Sequence, residues 1–251
     1  MDALILAGSS NKGELNQETN VKDEAMIRIG KKTMVEYVVD AVSGSRRFDN
    51  IILVGPVKEL QKLFASREDI IMVDGGKTVI QGVLNGLKHL NKDEMLLVAT
   101  SDIPLLTEKA VNNFVDSCQE LKGDIFYPIV PKKVTEEKLP ESKRTYFTLK
   151  EGTFTGGNLF FVDPKIIPDC AAKAEDAVKL RKSPLKLAGM LGVPFIIKFL
   201  LKRLSIREVE ERASKILGYR AKGIISQYPE VGMDVDKLSD LELVKRYLRK
   251  D

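Results

Sequence analysis

Met95-Leu96-Leu97-Val98-Ala99-Thr100-Ser101-Asp102-Ile103-Pro104-Leu105-Leu106 contains a continuous apolar run that ends abruptly in a carboxylate and a proline. An unbroken run of this length, with no polar alternation, describes a strand covered on both faces. Pro104 halts it, so Asp102 is left at the strand's carboxyl end. Working outward, similar short runs recur at Ala3–Ala7, Ile51–Val54 and Ile70–Val73. Between them lie helical periodicities: Met34, Tyr37, Val38, Ala41 and Val42 behind Thr33, then Lys58–Ala65, Thr78–Leu90 and a helix starting at Thr107. Strand and helix therefore alternate, which predicts an α/β fold with a mostly parallel sheet flanked by helices.

Beyond Leu121 the rhythm changes. Ile125–Val130 reads as a strand and Pro131–Lys143 as a charged loop. Tyr146–Leu149 and Phe154–Val162 flank Lys150-Glu151-Gly152-Thr153, a β-hairpin signal. A helical block spans 164–218, with Ser205 and Glu208 as a capping box, then a short strand at Ile224–Ile225 and a last helix capped by Ser239 and Glu242. No repeat or linker interrupts the chain. The expectation is one domain over 1–251, with 164–218 as a helical insertion within it.

Composition narrows the chemistry. The 251 residues include one histidine (His89) and two separated cysteines, Cys118 and Cys170. Zinc sites built on several imidazoles or CxxC pairs are excluded, and disulfide frameworks with them. Lys+Arg 40 against Asp+Glu 36 gives a net charge of +4, but the charges are interleaved, with no basic stripe or aromatic platform for nucleic acid. The start carries no basic, long-apolar leader, which predicts a cytoplasmic protein. Val193–Leu204 is too short and too interrupted by Lys198, Lys202 and Arg203 to span a membrane. It reads as a buried helix, with peripheral lipid contact as the alternative.

Three segments fall where parallel sheets collect ligands. Leu6-Ala7-Gly8-Ser9 follows the first strand, but Gly8 and Gly13 lack the Lys-Ser/Thr of a P-loop. Asp102 ends a central strand. Asp234 and Asp236 lie two apart in Gly232-Met233-Asp234-Val235-Asp236, on one face of an extended segment. Taken with Gly30, Met34-Val35-Glu36-Tyr37, Thr100-Ser101-Asp102-Ile103-Pro104-Leu105, Gly156-Gly157-Asn158 and Ser239-Asp240-Leu241, this ordered set resembles nucleotidyltransferases of the molybdenum-cofactor guanylyltransferase type, within the nucleotide-diphospho-sugar transferase fold.

The resemblance implies condensation of a nucleoside triphosphate with a phosphorylated acceptor, releasing pyrophosphate. It implies Mg²⁺ held by Asp102 and Asp236, a base met by Leu6, Ala7, Gly8 and Ser9, and Gly86 letting a helix pack close to the nucleotide. Gly156, Gly157 and Asn158 would line the acceptor side. Where the family has a lysine in its first loop this chain has Glu24, so Lys12 with Lys22 or Lys77 is expected to supply the cationic clamp on the triphosphate. Lys143-Arg144-Thr145-Tyr146 and Arg181-Lys182-Ser183-Pro184-Leu185-Lys186 are basic clusters suited to an anionic acceptor, or to solvent. A sugar-nucleotide-dependent glycosyltransferase and a non-catalytic nucleotide-binding protein remain open alternatives.

Overall fold

The structure is a computed structural model and describes residues 1–11, 13–171, 173 and 191–249. Among these, nine strands form one sheet. Four helix-linked strands run parallel in its first half: β1 (Asp2–Leu6) lies between β4 (Asn50–Gly55) and β6 (Leu96–Thr100), with β5 (Ile70–Asp74) at the edge beside β4. A small ladder, β2 (Arg28–Ile29) with β3 (Lys32–Thr33), stands apart. Helices α1 (Gly13–Thr19), α2 (Met34–Gly44), α3 (Val57–Phe64), α4 (Val79–Gly86) and α5 (Glu108–Gln119) connect and cover these strands. Ala3, Leu4, Ile5, Ile52 and Leu53 are fully buried, as continuous apolar strands require. Thr33 and Glu36 close a capping box at the start of α2, matching the expected helix start.

The second half is mixed. β7 (Ile125–Pro131) carries β11 (Ala221–Ile225) in parallel along one edge. Its other edge takes β9 (Gly152–Gly156) and β10 (Leu159–Val162), both antiparallel. The single strand expected over Phe154–Val162 is thus two. Between the Phe126–Phe161 and Ile129–Gly156 pairs, β7 advances three residues while the opposing chain advances five. Gly157 and Asn158 are the two extra residues, a bulge in an otherwise continuous line. β10 pairs with β6, whereas β9 pairs with β8 (Phe147–Leu149) on that same side. The β8–β9 hairpin therefore extends past the carboxyl end of β6, over Asp102.

Several expectations need correcting. Pro131–Lys143 is not a loop throughout, because α6 (Lys132–Lys138) follows Pro131 directly. The last helix, α9 (Leu238–Leu248), starts one residue before Ser239 and has Lys237 at its cap position. Asp240, rather than Ser239, reaches back, accepting a bond from the Asp236 N–H at 3.3 Å. The apolar segment expected to be a buried helix forms α7 (Val193–Leu200), in which no residue is buried. Only Leu204, just beyond it, joins the core, beneath α8 (Ile206–Leu217). No helix among the described residues is long and apolar enough to cross a membrane.

Candidate active site

The carboxyl ends of β1, β4 and β5 meet around a cavity of about 280 Å³ lined by Leu6, Gly8, Ser9, Gly75, Lys77 and Gly82, among others. Its floor is made of backbone brought close together. A methyl group on Gly8 would lie 3.9 Å from the Cα atoms of Gly55 and Gly75, and one on Gly82 would meet the Gly75 carbonyl at 2.8 Å. Glycine is needed at position 82 because α4 enters end-on against this loop. Thr78 caps α4, accepting from the Gln81 N–H, and so turns the helix N-terminus toward the cavity rim.

The base-binding set inferred from the sequence divides here. Leu6, Gly8, Ser9 and Lys77 line the cavity. Ala7 is buried beside it, with its N–H donating to the Val54 carbonyl at 2.8 Å. Leu6 offers a side chain, its carbonyl accepting from the Ser101 N–H at 3.1 Å. Gly86 sits a turn further along α4, where a methyl group would meet Leu4 Cδ1 at 2.5 Å, so its close approach is to the sheet rather than to the cavity. Gly82 and Val54, overlooked in the sequence, occupy the lining instead. The signal for Gly82 was a glycine inside an otherwise regular helix.

The loop after Gly8 doubles back. The Asn11 N–H donates to the Lys22 carbonyl at 2.8 Å and the Glu24 N–H to the Ser9 carbonyl at 3.1 Å. Lys22 is exposed on the returning arm of this loop. Lys12 and the basic cluster Arg181–Lys186 lie outside the described residues.

Beside the cavity, at the end of β6, Asp102, Asp234 and Asp236 bring carboxylate oxygens within 4.8 Å of one another. Backbone bonds hold the two segments together, the Val235 N–H donating to the Asp102 carbonyl at 2.9 Å. The approach is tight enough that a methyl group on Gly232 would sit 2.6 Å from the Gly156 carbonyl. The bulge completes the frame: the Asn158 N–H donates to the Val231 carbonyl at 2.7 Å, and the Asn158 carbonyl accepts from Thr100 at 3.2 Å. Gly156, Gly157 and Asn158 thus stand between the acidic cluster and the neighbouring strand ends.

Burial pushes the Asp102 carboxyl above its ordinary range, and the Asp236 charge adds to the rise. The Thr100 hydroxyl, donating to Asp102, and the nearby Arg144 guanidinium act the other way. Arg144 forms an ion pair with Asp234 in which both side chains are largely covered. Its Nε is buried without a hydrogen-bond partner. Three close carboxylates facing one guanidinium leave an excess of negative charge, and every donor is a hard oxygen. That set fits a divalent cation such as Mg²⁺.

Residues 3–197 match the MobA-like NTP transferase domain. The chain belongs to that family. It is 36% identical to a hypothetical transferase from Thermus thermophilus, with a TM-score of 0.85 over 96% of this chain and 98% of that one. Two further structures share the fold at lower identity. A nucleotidyl transferase from Methanothermobacter thermautotrophicus is 14% identical with a TM-score of 0.60, covering 100% of this chain and 98% of that one. A 4-diphosphocytidyl-2C-methyl-D-erythritol synthase from Anaerococcus prevotii is 16% identical with a TM-score of 0.58, over 99% and 97%. Among curated proteins, the bifunctional protein GlmU of Thermodesulfovibrio yellowstonii is 26% identical over 134 residues, 51% of this chain and 28% of GlmU. The family is that of NTP transferases, on the nucleotide-diphospho-sugar transferase fold.

Proposed function

We propose that this chain is a Mg²⁺-dependent nucleotidyltransferase that joins a nucleoside triphosphate to a phosphorylated acceptor. The observation that carries the reading is the trio Asp102, Asp234 and Asp236 beside a glycine-floored cavity at the sheet's carboxyl rim. An acceptor phosphate oxygen bonds to the α-phosphorus while the bond from that phosphorus to the β,γ-pyrophosphate breaks, and pyrophosphate departs. Mg²⁺, when bound, neutralises phosphate charge and favours in-line geometry. Asp102 and Asp236 would hold it, with Asp234 anchored by Arg144.

The protein's own groups do the positioning. With the Ala7 N–H engaged in the sheet, backbone contacts to a base pass to Gly8 and Ser9. Lys77 lines the cavity, suited to meet a triphosphate, and Lys22 is exposed on the returning arm of the loop after Gly8; with Lys12 they would make up the cationic clamp. Arg144, Gly156, Gly157 and Asn158 face the acceptor, with the unpartnered Arg144 Nε as a donor for its phosphate.

A thermal-shift panel of CTP, GTP, ATP, UTP and their sugar conjugates, with and without Mg²⁺, tests the reading together with pyrophosphate release. Triphosphate stabilisation that needs Mg²⁺ is expected. Asp102→Asn and Asp236→Asn should each lower turnover by about 100-fold or more, the scale of losing a main electrostatic contact. Undiminished pyrophosphate release in both variants would overturn the assignment. Stabilisation by sugar nucleotides alone would point to glycosyl transfer, and binding without turnover to a non-catalytic role.

A further inference from the structure

A second surface lies well outside that site. In α7, Val193, Ile197 and Leu200 are 67, 51 and 72% exposed, and Leu201, which caps it, is 59% exposed. Their spacing of four, three and one places them on a single helical stripe. Behind it, Phe195 packs against the cluster of Ile129, Leu149, Phe154 and Leu204, while Phe199 stays 41% exposed. Lys198 reaches Glu208 of α8 at 2.5 Å. The exposed stripe is therefore the outer face of a helix tethered to the body through Phe195 and Lys198.

The stripe stops at a built terminus. Lys202 N–H donates to the Phe199 carbonyl at 2.9 Å and Arg203 N–H to the Lys198 carbonyl at 2.8 Å. This is the paired pattern of a Schellman cap, with Lys202 at the left-handed position, φ 55°. Glycine is the low-cost residue there; a lysine carries strain of about 1 kcal/mol. The cap turns Lys202 and Arg203 out beside the apolar stripe, and neither makes an ion pair among the described residues.

We propose that this face docks the protein on an anionic lipid surface. The helix is about 12 Å long, and four side chains fall far short of the ~800 Å² per partner that a stable protein interface covers. On a bilayer, affinity scales with apolar area plus attraction to anionic headgroups, so a small stripe flanked by cations suffices for reversible docking. A short helix can lie in the interfacial plane with its aliphatic stripe among the acyl chains. Two unpaired cations at its end then meet headgroup phosphates. The inference is independent of the chemistry at Asp102.

Cosedimentation of the full chain with vesicles tests it. Pelleting is expected with about three parts phosphatidylcholine to one of phosphatidylglycerol, and much less with phosphatidylcholine alone. Leu200→Glu with Leu201→Glu should abolish it, while circular dichroism and turnover of soluble substrates stay unchanged. Lys202→Gly relieves the strained cap, so the melting temperature should hold or rise while vesicle affinity falls about fivefold, the worth of one cation at such a surface. Absence of pelleting by the wild type would overturn the proposal, as would equal pelleting by the Leu200/Leu201 variant. So would self-association that the same variant abolishes, which would assign the stripe to a second copy.

Discussion

Asp102 answers to two conflicting requirements. Held at the end of β6, it is desolvated and faces Asp236, so its charged form is costly in the metal-free protein. Asp102→Asn keeps an acceptor for the Thr100 hydroxyl and removes that cost. The variant should gain about 1 kcal/mol of stability without metal, read by thermal melting, while losing the Mg²⁺-dependent increment. Equal melting shifts on Mg²⁺ addition in variant and wild type would refute the ligand role. Arg144 makes a complementary case. Arg144→Lys retains a cation but not the fork that reaches Asp234 and a second anion together, so the Michaelis constant for the acceptor should rise more than the turnover number falls. The period-two spacing placed Asp234 and Asp236 together, and the structure puts both into the cluster. That Arg144 would pair with Asp234 was not readable, because the two lie 90 residues apart and meet only once the sheet has formed.

At the scale of elements, the alternating apolar runs carried the parallel half of the sheet faithfully, since burial on both faces leaves no alternative pattern. α6 was missed for the opposite reason. Lys132, Lys133, Glu136, Glu137 and Lys138 present no apolar stripe, and of this helix only Thr135 is buried. α7 misled through its composition, which states how apolar a helix is but not what lies against it. α4 offers a direct test of which glycine serves packing and which serves the site. Gly86→Ala forces a methyl group onto fully buried Leu4 and should cost about 1–3 kcal/mol, with the nucleotide-induced melting shift preserved. Gly82→Val should fill the cavity side and remove that shift.

For the whole molecule, pH acts through groups of opposite sign. The Asp69 carboxyl beside Arg67 and the Asp124 carboxyl beside Arg220 are held below the ordinary range. Their contribution is present above the usual carboxylate pKa and is lost as pH falls through their lowered values. Asp102 runs the other way: its folded value is raised, so stability is greatest when it is protonated and declines as pH rises from the ordinary carboxylate range through that raised value. Urea titrations from acid to neutral pH should therefore show wild type and Asp102→Asn converging at the acid end and separating toward neutrality. Parallel curves would remove the desolvation argument. Added Mg²⁺ should close the gap, because it stabilises the ionised form.

The bulge at Gly157-Asn158 sets how far the proposed site depends on the register of the sheet. A strand repeats every two residues, and the insertion is two residues long, so removing both would join β9 to β10 with every side chain still on its present face. The Pro128 carbonyl, the Val231 carbonyl and the Thr100 N–H would lose the partners they have in the bulge. A chain so shortened has the register of a plain, uninterrupted sheet, which means that the folding pattern and the wall proposed for the acceptor are separable by a single in-frame deletion.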